Sequence, residues 1–443
     1  MNGASGSRLA RRQALTLSLL VAGYAGYYFC RSNLSVTMPL LIADLGRRGI
    51  APDAARVMLG SVASLGVLAY AIGKFPSGGL ADLLGGRRNF LFGMAGSIAF
   101  TLMFAASGAI GLFTLAWMGN RLVQSLGWAG AVKIASKWFS FRSYGTVMAI
   151  VSLSYLFGDA LARQSMALLI QQGFGWRGVF CAAAVLLAAL LAACVFLLRE
   201  SPAEIGETEP SANSLNLFAA SGNEHPPENL RALLRPFFSS RVFWLACALS
   251  LGTTILRETF GLWTPTYFAQ QAGMSAAEAA AKSALFPLTG GVSVVLCGWL
   301  SDRLGRGGRA SVMLAGLMLS VFALLALGLG AAAGSTFRPV ALVAIVAFLI
   351  VGPYSFLAGA ISLDFGGKQG SGTASGLIDG VGYLGGVLSG DGMARISVAH
   401  GWNGAFLVLA GVAALSSLTA AAFLHHESNL ARKARAGTHG ELA

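Results

Sequence analysis

Twelve apolar segments, each long enough to cross a bilayer as a helix, decide what this chain can become. A spanning helix needs about 20 predominantly apolar residues. Segments of that kind lie near 14–44, 56–81, 89–110, 112–137, 143–171 and 176–198, and again near 241–270, 279–301, 309–333, 338–363, 371–398 and 402–425. In lipid the backbone must satisfy its own polar groups, so such segments have to be helical. Only 11% of the residues are charged, against roughly 25% in soluble domains. The 58 glycines fit close helix packing in a membrane. The expected class is an all-α membrane protein.

One long polar stretch, residues 199–240, interrupts the series. It carries Glu200, Glu204, Glu207, Glu209, Asn223, Pro226 and Pro227, then Arg231, Arg235 and Arg241, with a short amphipathic helix expected near 230–234. The expected organisation is a six-helix bundle at 1–198, a cytoplasmic linker at 199–240, a second six-helix bundle at 241–428 and a tail at 429–443.

The net charge of +13 is spread in small groups between apolar stretches, with no basic run of five or more. That is the pattern of cytoplasmic loops rather than of a nucleic-acid surface. With the N-terminus inside, eighteen Lys and Arg fall on the cytoplasmic side and five on the other (Arg47, Arg48, Arg56, Arg177 and Arg338). Both termini are therefore expected in the cytoplasm, on a multi-pass protein of the inner (plasma) membrane. Arg8, Arg11 and Arg12 before an apolar run look superficially like an export signal, but no small-residue cleavage site follows. An uncleaved first helix is expected.

The halves repeat. Arg31 stands eight residues before Pro39 and Arg257 eight before Pro265, an offset of 226. Gly175-Trp176 and Gly401-Trp402 keep the same offset. After the second span of each half comes a Gly-x-x-x-Asp loop ending in basic residues, Gly78, Asp82, Arg87 and Arg88, then Gly298, Asp302, Arg303 and Arg306. Parallel six-helix repeats imply two pseudo-symmetric bundles with a site at mid-depth. The loop resembles the one that marks the major facilitator superfamily, where it holds inward-facing helix ends together. That resemblance implies local pairing of Asp82 with Arg87 and of Asp302 with Arg306.

Charges inside a bilayer cost at least ~2.5–3.5 kcal/mol on insertion scales. Arg31 lies within Tyr27-Tyr28-Phe29-Cys30-Arg31-Ser32-Asn33, and Arg257 at the matching depth within Leu256-Arg257-Glu258-Thr259-Phe260. Two arginines make a poor structural pair and a good clamp for a doubly charged tetrahedral anion, since guanidinium forks match phosphate oxygens. The competing reading pairs Arg257 with Glu258. Neighbours on a helix do not face each other, which makes Glu258 a weak partner.

The motifs Gly23-Tyr24-Ala25-Gly26-Tyr27-Tyr28 with Arg31, Asn33 and Pro39 are similar to the first helix of the organophosphate:phosphate antiporters, the glycerol-3-phosphate and hexose-6-phosphate carriers. Trp263-Thr264-Pro265-Thr266-Tyr267, Cys297-Gly298-Trp299-Leu300-Ser301-Asp302, Gly372-Thr373-Ala374-Ser375-Gly376 and Gly382-Tyr383-Leu384-Gly385-Gly386 resemble that family too, so the likeness spans both halves. It implies exchange of a phosphorylated or phosphonate metabolite for inorganic phosphate. It places Arg31 and Arg257 on the phosphoryl group, with Lys74 and Lys133 at matching basic positions of the second and fourth helices. Tyr27, Tyr155 and Tyr267 join them as expected substrate contacts. This chain departs from the family at Ser32, commonly a lysine, and at Tyr155, where glycerol-phosphate carriers have a histidine. Both departures concern the organic half of the substrate.

Gly158-Asp159-Ala160-Leu161-Ala162-Arg163 is echoed by Gly390-Asp391-Gly392-Met393-Ala394-Arg395. Each Asp and Arg sit four apart, so each can pair on one helix face. Two readings stay open: contact with substrate or switching partners, and neutralised self-pairs that ease insertion. Asp379 is a lone intramembrane acid fit for a proton or a substrate amine. Arg121 resembles the fourth-helix basic position of other facilitators, with a structural role expected. Lys282 and Arg56 lie near span ends, where they snorkel to water.

The five cysteines have no paired spacing, and no metal, cofactor or catalytic motif is present, so neither an enzyme nor a metal site is expected. The expected partners are the organic phosphate or phosphonate, inorganic phosphate and the bilayer, with a monomeric carrier. Two other functions remain: a proton-coupled organic-anion symporter using Asp379 or Asp391, and a membrane sensor of sugar phosphate.

Overall fold

The computed structural model describes residues 2–139, 141–208, 235, 237–304, 307–330 and 334–440. Within these, the side chains of 2–8, 78–79, 81–84, 136, 141–146, 148–149, 302, 358, 363–364, 366–373 and 427–440 are left aside. The amphipathic helix expected at 230–234 lies outside the described residues.

Among the described residues the structure is helical, without strands. The first half gives α1 (Asn2–Arg47), α2 (Pro52–Leu84), α3 (Gly86–Ala106), α4 (Ile110–Trp138), α5 (Phe141–Gln171) and α6 (Trp176–Leu197). The second gives α7 (Arg241–Gln271), α8 (Ala276–Ser283), α9 (Leu285–Leu304), α10 (Gly308–Gly328), α11 (Phe337–Phe356), α12 (Ser362–Gly386) and α13 (Asp391–Gly440). A π turn, Leu357–Ile361, joins α11 to α12. Inside α13, Gly401 breaks the helix at φ 67°, a left-handed value that glycine tolerates. The eighth span is thus α8 and α9 together, and the eleventh crosses from α12 into the start of α13.

Seven stretches are long and apolar enough to cross a membrane on composition alone, the last of them, Ala374–His426, holding two spans. The four long helices that fall short are α1, α4, α5 and α7. These carry Arg31, Arg121, Lys133, Asp159, Arg163, Arg257 and Glu258.

The chain forms two compact units. The first contains Met1–Ala220 together with Gly261–Leu288 and Gly390–Arg395. Its helices meet over small residues. A Cβ on Gly130 of α4 would lie 2.8 Å from the Phe90 nitrogen of α3, and one on Gly158 of α5 would lie 2.7 Å from the Ala25 Cα of α1. With little hydrophobic force between helices in lipid, such close approach is what holds them. An aromatic cluster of Phe104, Phe113, Trp117, Trp176 and Phe180 closes one end, Phe104 stacking on Phe113 at 4.5 Å and on Phe180 at 4.6 Å.

The second unit contains Ser221–Phe260, Thr289–Ser389 and Ile396–Ala443. Here α12 lies on α7 through Gly385, whose Cβ would meet the Leu251 carbonyl oxygen at 2.8 Å. Phe365 packs edge-on against Phe243 and Phe423, and Phe260 stacks on Phe406.

Candidate functional site

In the first unit, α2 carries Gly66, Tyr70 and Lys74 at intervals of four, which puts them on one face. Tyr70, 3% exposed, is the centre of a group of cations. The Arg31 guanidinium lies 4.6 Å from its ring centroid, that of Arg121 4.8 Å, and the Lys74 ammonium 5.3 Å. Arg31 also lies 5.2 Å from the Tyr28 ring, which stacks on Tyr155 at 6.0 Å. Sequence reasoning named Arg31, Lys74 and Tyr155; the structure brings them into one neighbourhood and adds Arg121, Tyr28 and Tyr70.

In the second unit, Arg257 of α7 lies 4.5 Å from the Tyr354 ring and 5.8 Å from that of Tyr383. Its Nη2 donates to the Tyr383 hydroxyl at 3.1 Å and to Glu258 Oε1 at 2.5 Å. Both halves therefore seat an arginine among tyrosines. Glu258, expected to be a weak partner, does pair with Arg257. The rule that helix neighbours do not face each other describes Cβ directions, and two long side chains curl around the helix to meet. Asp379 lies one turn before Tyr383 on α12, on the same face.

Three other expected contacts have surroundings of their own. Tyr27 is 2% exposed and its hydroxyl donates to the Phe90 carbonyl at 2.6 Å, so it serves the α1–α3 packing rather than the Tyr70 group. Lys133 starts against Gly86 at the N-terminus of α3, twelve residues and roughly 18 Å along α4 from Arg121. Tyr267 is 3% exposed and packs against the Phe268 ring.

The repeated Asp/Arg motifs do form ion pairs, Asp159–Arg163 at 3.0 Å and Asp391–Arg395 at 2.8 Å. They are more than self-pairs. Ser32 donates to Asp159. Arg163, 2% exposed, donates to the Gly261 carbonyl at 2.8 Å and the Ser283 hydroxyl at 3.1 Å. Ser61 of α2 donates to Asp391 at 2.6 Å, and the Asp391 N–H donates to Ser64 at 2.8 Å. Arg395 itself is largely exposed.

Proline explains one of these contacts. Pro265 has no N–H, so the Gly261 carbonyl one turn earlier loses its helical donor. It accepts instead from Arg163 and from Ser35, each at 2.8 Å.

At the loops, the Asp82 and Asp302 side chains and Arg306 lie outside what is described, and with them both expected pairs. Arg303 lies 4.1 Å from the Trp299 ring, and Arg88 is exposed. Arg87 donates to the Val195 carbonyl at 2.6 Å. The acid at this place is Glu200, which sequence reasoning assigned to the linker. It accepts from the Gly86 and Arg87 N–H groups at 3.0 and 2.6 Å and from Lys137 at 2.9 Å, capping α3. Burial pushes its carboxyl up, but Lys137 and those two N–H groups outweigh burial and hold it below the ordinary 4.5. Among the described residues no group of three His, Cys, Asp or Glu is placed to hold a metal.

Residues 20–390 match the model of the Major Facilitator Superfamily. The chain belongs to that superfamily. It is a multi-pass membrane transporter built on the twelve-helix, two-bundle facilitator fold. Superfamily relatives include a probable hexose phosphate transport protein of Chlamydia pneumoniae, 26% identical over 407 residues, covering 89% of this chain and 88% of that one. They also include the membrane sensor protein UhpC of Escherichia coli (strain K12), 25% identical over 417 residues, covering 92% and 91%. A bacterial homolog of the human lysosomal transporter Spinster, solved in an inward-facing and unoccupied conformation, shares the superfamily fold. It has a TM-score of 0.72 at 15% identity over 94% of this chain and 97% of that one.

Proposed function

We propose that this facilitator exchanges a phosphorylated or phosphonate metabolite for inorganic phosphate. The observation that carries the reading is the seating of Arg31 and Arg257 among tyrosines at equivalent places in the two repeats. Rigid aromatic rings hold each guanidinium at a fixed height in its helix, and forked donors suit phosphoryl oxygens. Likeness to a probable hexose phosphate transport protein supports the substrate class.

The mechanism is alternating access, with the repeats 1–198 and 241–428 as the moving parts and both termini in the cytoplasm. An empty site full of cations is costly to desolvate when it closes, and a bound phosphate offsets that cost. The loaded carrier then reorients quickly and the empty one slowly, which is exchange. Asp159, Arg163 and Asp391 act as latches. They hold residues 261–283 and 390–395 of the second repeat to α1, α2 and α5, supported by the bonds to Ser32, Gly261, Ser283 and Ser61.

A thermal-shift panel on the purified protein tests the ligand class. Inorganic phosphate and at least one organic phosphate or phosphonate should stabilise it, while uncharged sugars should not. A panel in which phosphate does nothing would overturn the reading. The sensor reading gains weight from the likeness to UhpC. It predicts the same binding without flux.

A further inference from the structure

We propose that Arg121 is a ligand of the transported anion, the second guanidinium of the first unit's half-site, and that it makes this half-site selective for doubly charged phosphate. The inference rests on the phosphate reading above and adds a residue that reading does not require.

The geometry begins with α2. Gly66 lies one turn before Tyr70, and a Cβ there would meet the Trp117 ring first and then the Arg121 Cγ at 3.1 Å. The bare glycine lets α4 lie close on α2, with the Trp117 ring and the Arg121 stem both against that face.

The position of Arg121 against Arg31 is fixed by its neighbours. Asn120 Nδ2 donates to the Cys30 carbonyl at 2.9 Å and to Thr101 Oγ1 at 3.0 Å. Gln124 Nε2 donates to the same Cys30 carbonyl at 3.3 Å and to Asn120 Oδ1 at 2.7 Å. Residues 120 and 124 thus pin α4 to the α1 backbone at the residue just before Arg31. This buried network sets the register of two guanidiniums to within a side chain's reach of one ring. Buried polar networks hold binding groups in this way.

Three formal positive charges drawn to one tyrosine repel one another, and a cation–π contact is worth only about 0.5–2 kcal/mol. A dianion lowers the energy of all three at once. Two forks and one ammonium also exceed what a monoanion can use, which is why the second guanidinium reads charge as well as presence.

The test uses the full-length chain, with inorganic phosphate as the dianion probe and dimethyl phosphate as the monoanion. The wild type should bind phosphate; if it does not, the phosphate reading fails and not this inference alone. Arg121→Gln should weaken phosphate at least tenfold while dimethyl phosphate changes less than threefold, so the preference collapses. A merely structural role would lower both equally, and that result would overturn the proposal. So would phosphate binding within twofold of wild type. If Arg121→Gln is not monodisperse, Arg121→Lys decides. Keeping charge but losing the fork, it should weaken phosphate at least threefold, and wild-type affinity in that variant would overturn the proposal.

Discussion

Ser35 and Gly261, which occupy equivalent places in the two repeats, are hydrogen-bonded to each other, the serine hydroxyl donating to the glycine carbonyl at 2.8 Å. Each stands four residues before the proline of its own helix, Pro39 or Pro265. The prolines mark the repeat in sequence, and Pro265 also creates the acceptor that joins it to the first helix. Arg163 uses the same carbonyl.

Removing that guanidinium tests the latch. Arg163→Gln leaves Gly261 to Ser35 alone and leaves Asp159 without its cation, a loss of about 1.5–3 kcal/mol for charged hydrogen bonds. Amide hydrogen exchange across 261–268 should rise at least tenfold. Unchanged exchange there would show that Arg163 holds nothing.

Glu258 holds the Arg257 guanidinium, and on the proposed reading it competes with the incoming anion. Glu258→Gln removes the competing carboxylate, so phosphate should bind several-fold more tightly in a thermal-shift titration. The conservative amide keeps the volume and the contact. Weaker phosphate binding in this variant would mean that Glu258 orients Arg257 rather than competing for it.

Glu200 gives a pH prediction with a definite sign. Its carboxyl is held below the ordinary 4.5, so its ionised form is favoured by folding. That contribution is fully present above about pH 4.5 and is lost as pH falls through the lower folded value. At pH 7, Glu200→Gln should lower the unfolding free energy by about 1–2 kcal/mol, the scale of a helix cap reinforced by charge. The gap between variant and wild type should close in acid. A gap that stays constant down to pH 3 would contradict the assignment.

Much of this molecule is written in its hydropathy. Span positions, the 226-residue repeat and the two arginines follow from the cost of charge in lipid, and Gly401 breaks α13 where Gly401-Trp402 implied a helix start. Side-chain direction is less legible. Tyr27 and Arg31 share a face of α1, yet Tyr27 turns to Phe90, because a hydroxyl at a helix contact takes the nearest carbonyl. Tyr354 carries no motif, and only the packing of α11 against α7 reveals it as a ring for Arg257. Glu200 caps a helix that begins 114 residues earlier, a pairing no local pattern encodes. That Arg121 shares the Tyr70 ring with Arg31 is equally invisible in the sequence.

The proposed exchange depends on phosphate binding by Arg31 and by Arg257. Purified protein in proteoliposomes loaded with inorganic phosphate should take up labelled phosphate rapidly. Uptake should fall at least tenfold when the lumen holds no phosphate, and Arg31→Lys and Arg257→Lys should each reduce it comparably despite unchanged charge. Uptake undiminished in empty vesicles, or wild-type rates in both lysine variants, would contradict the account.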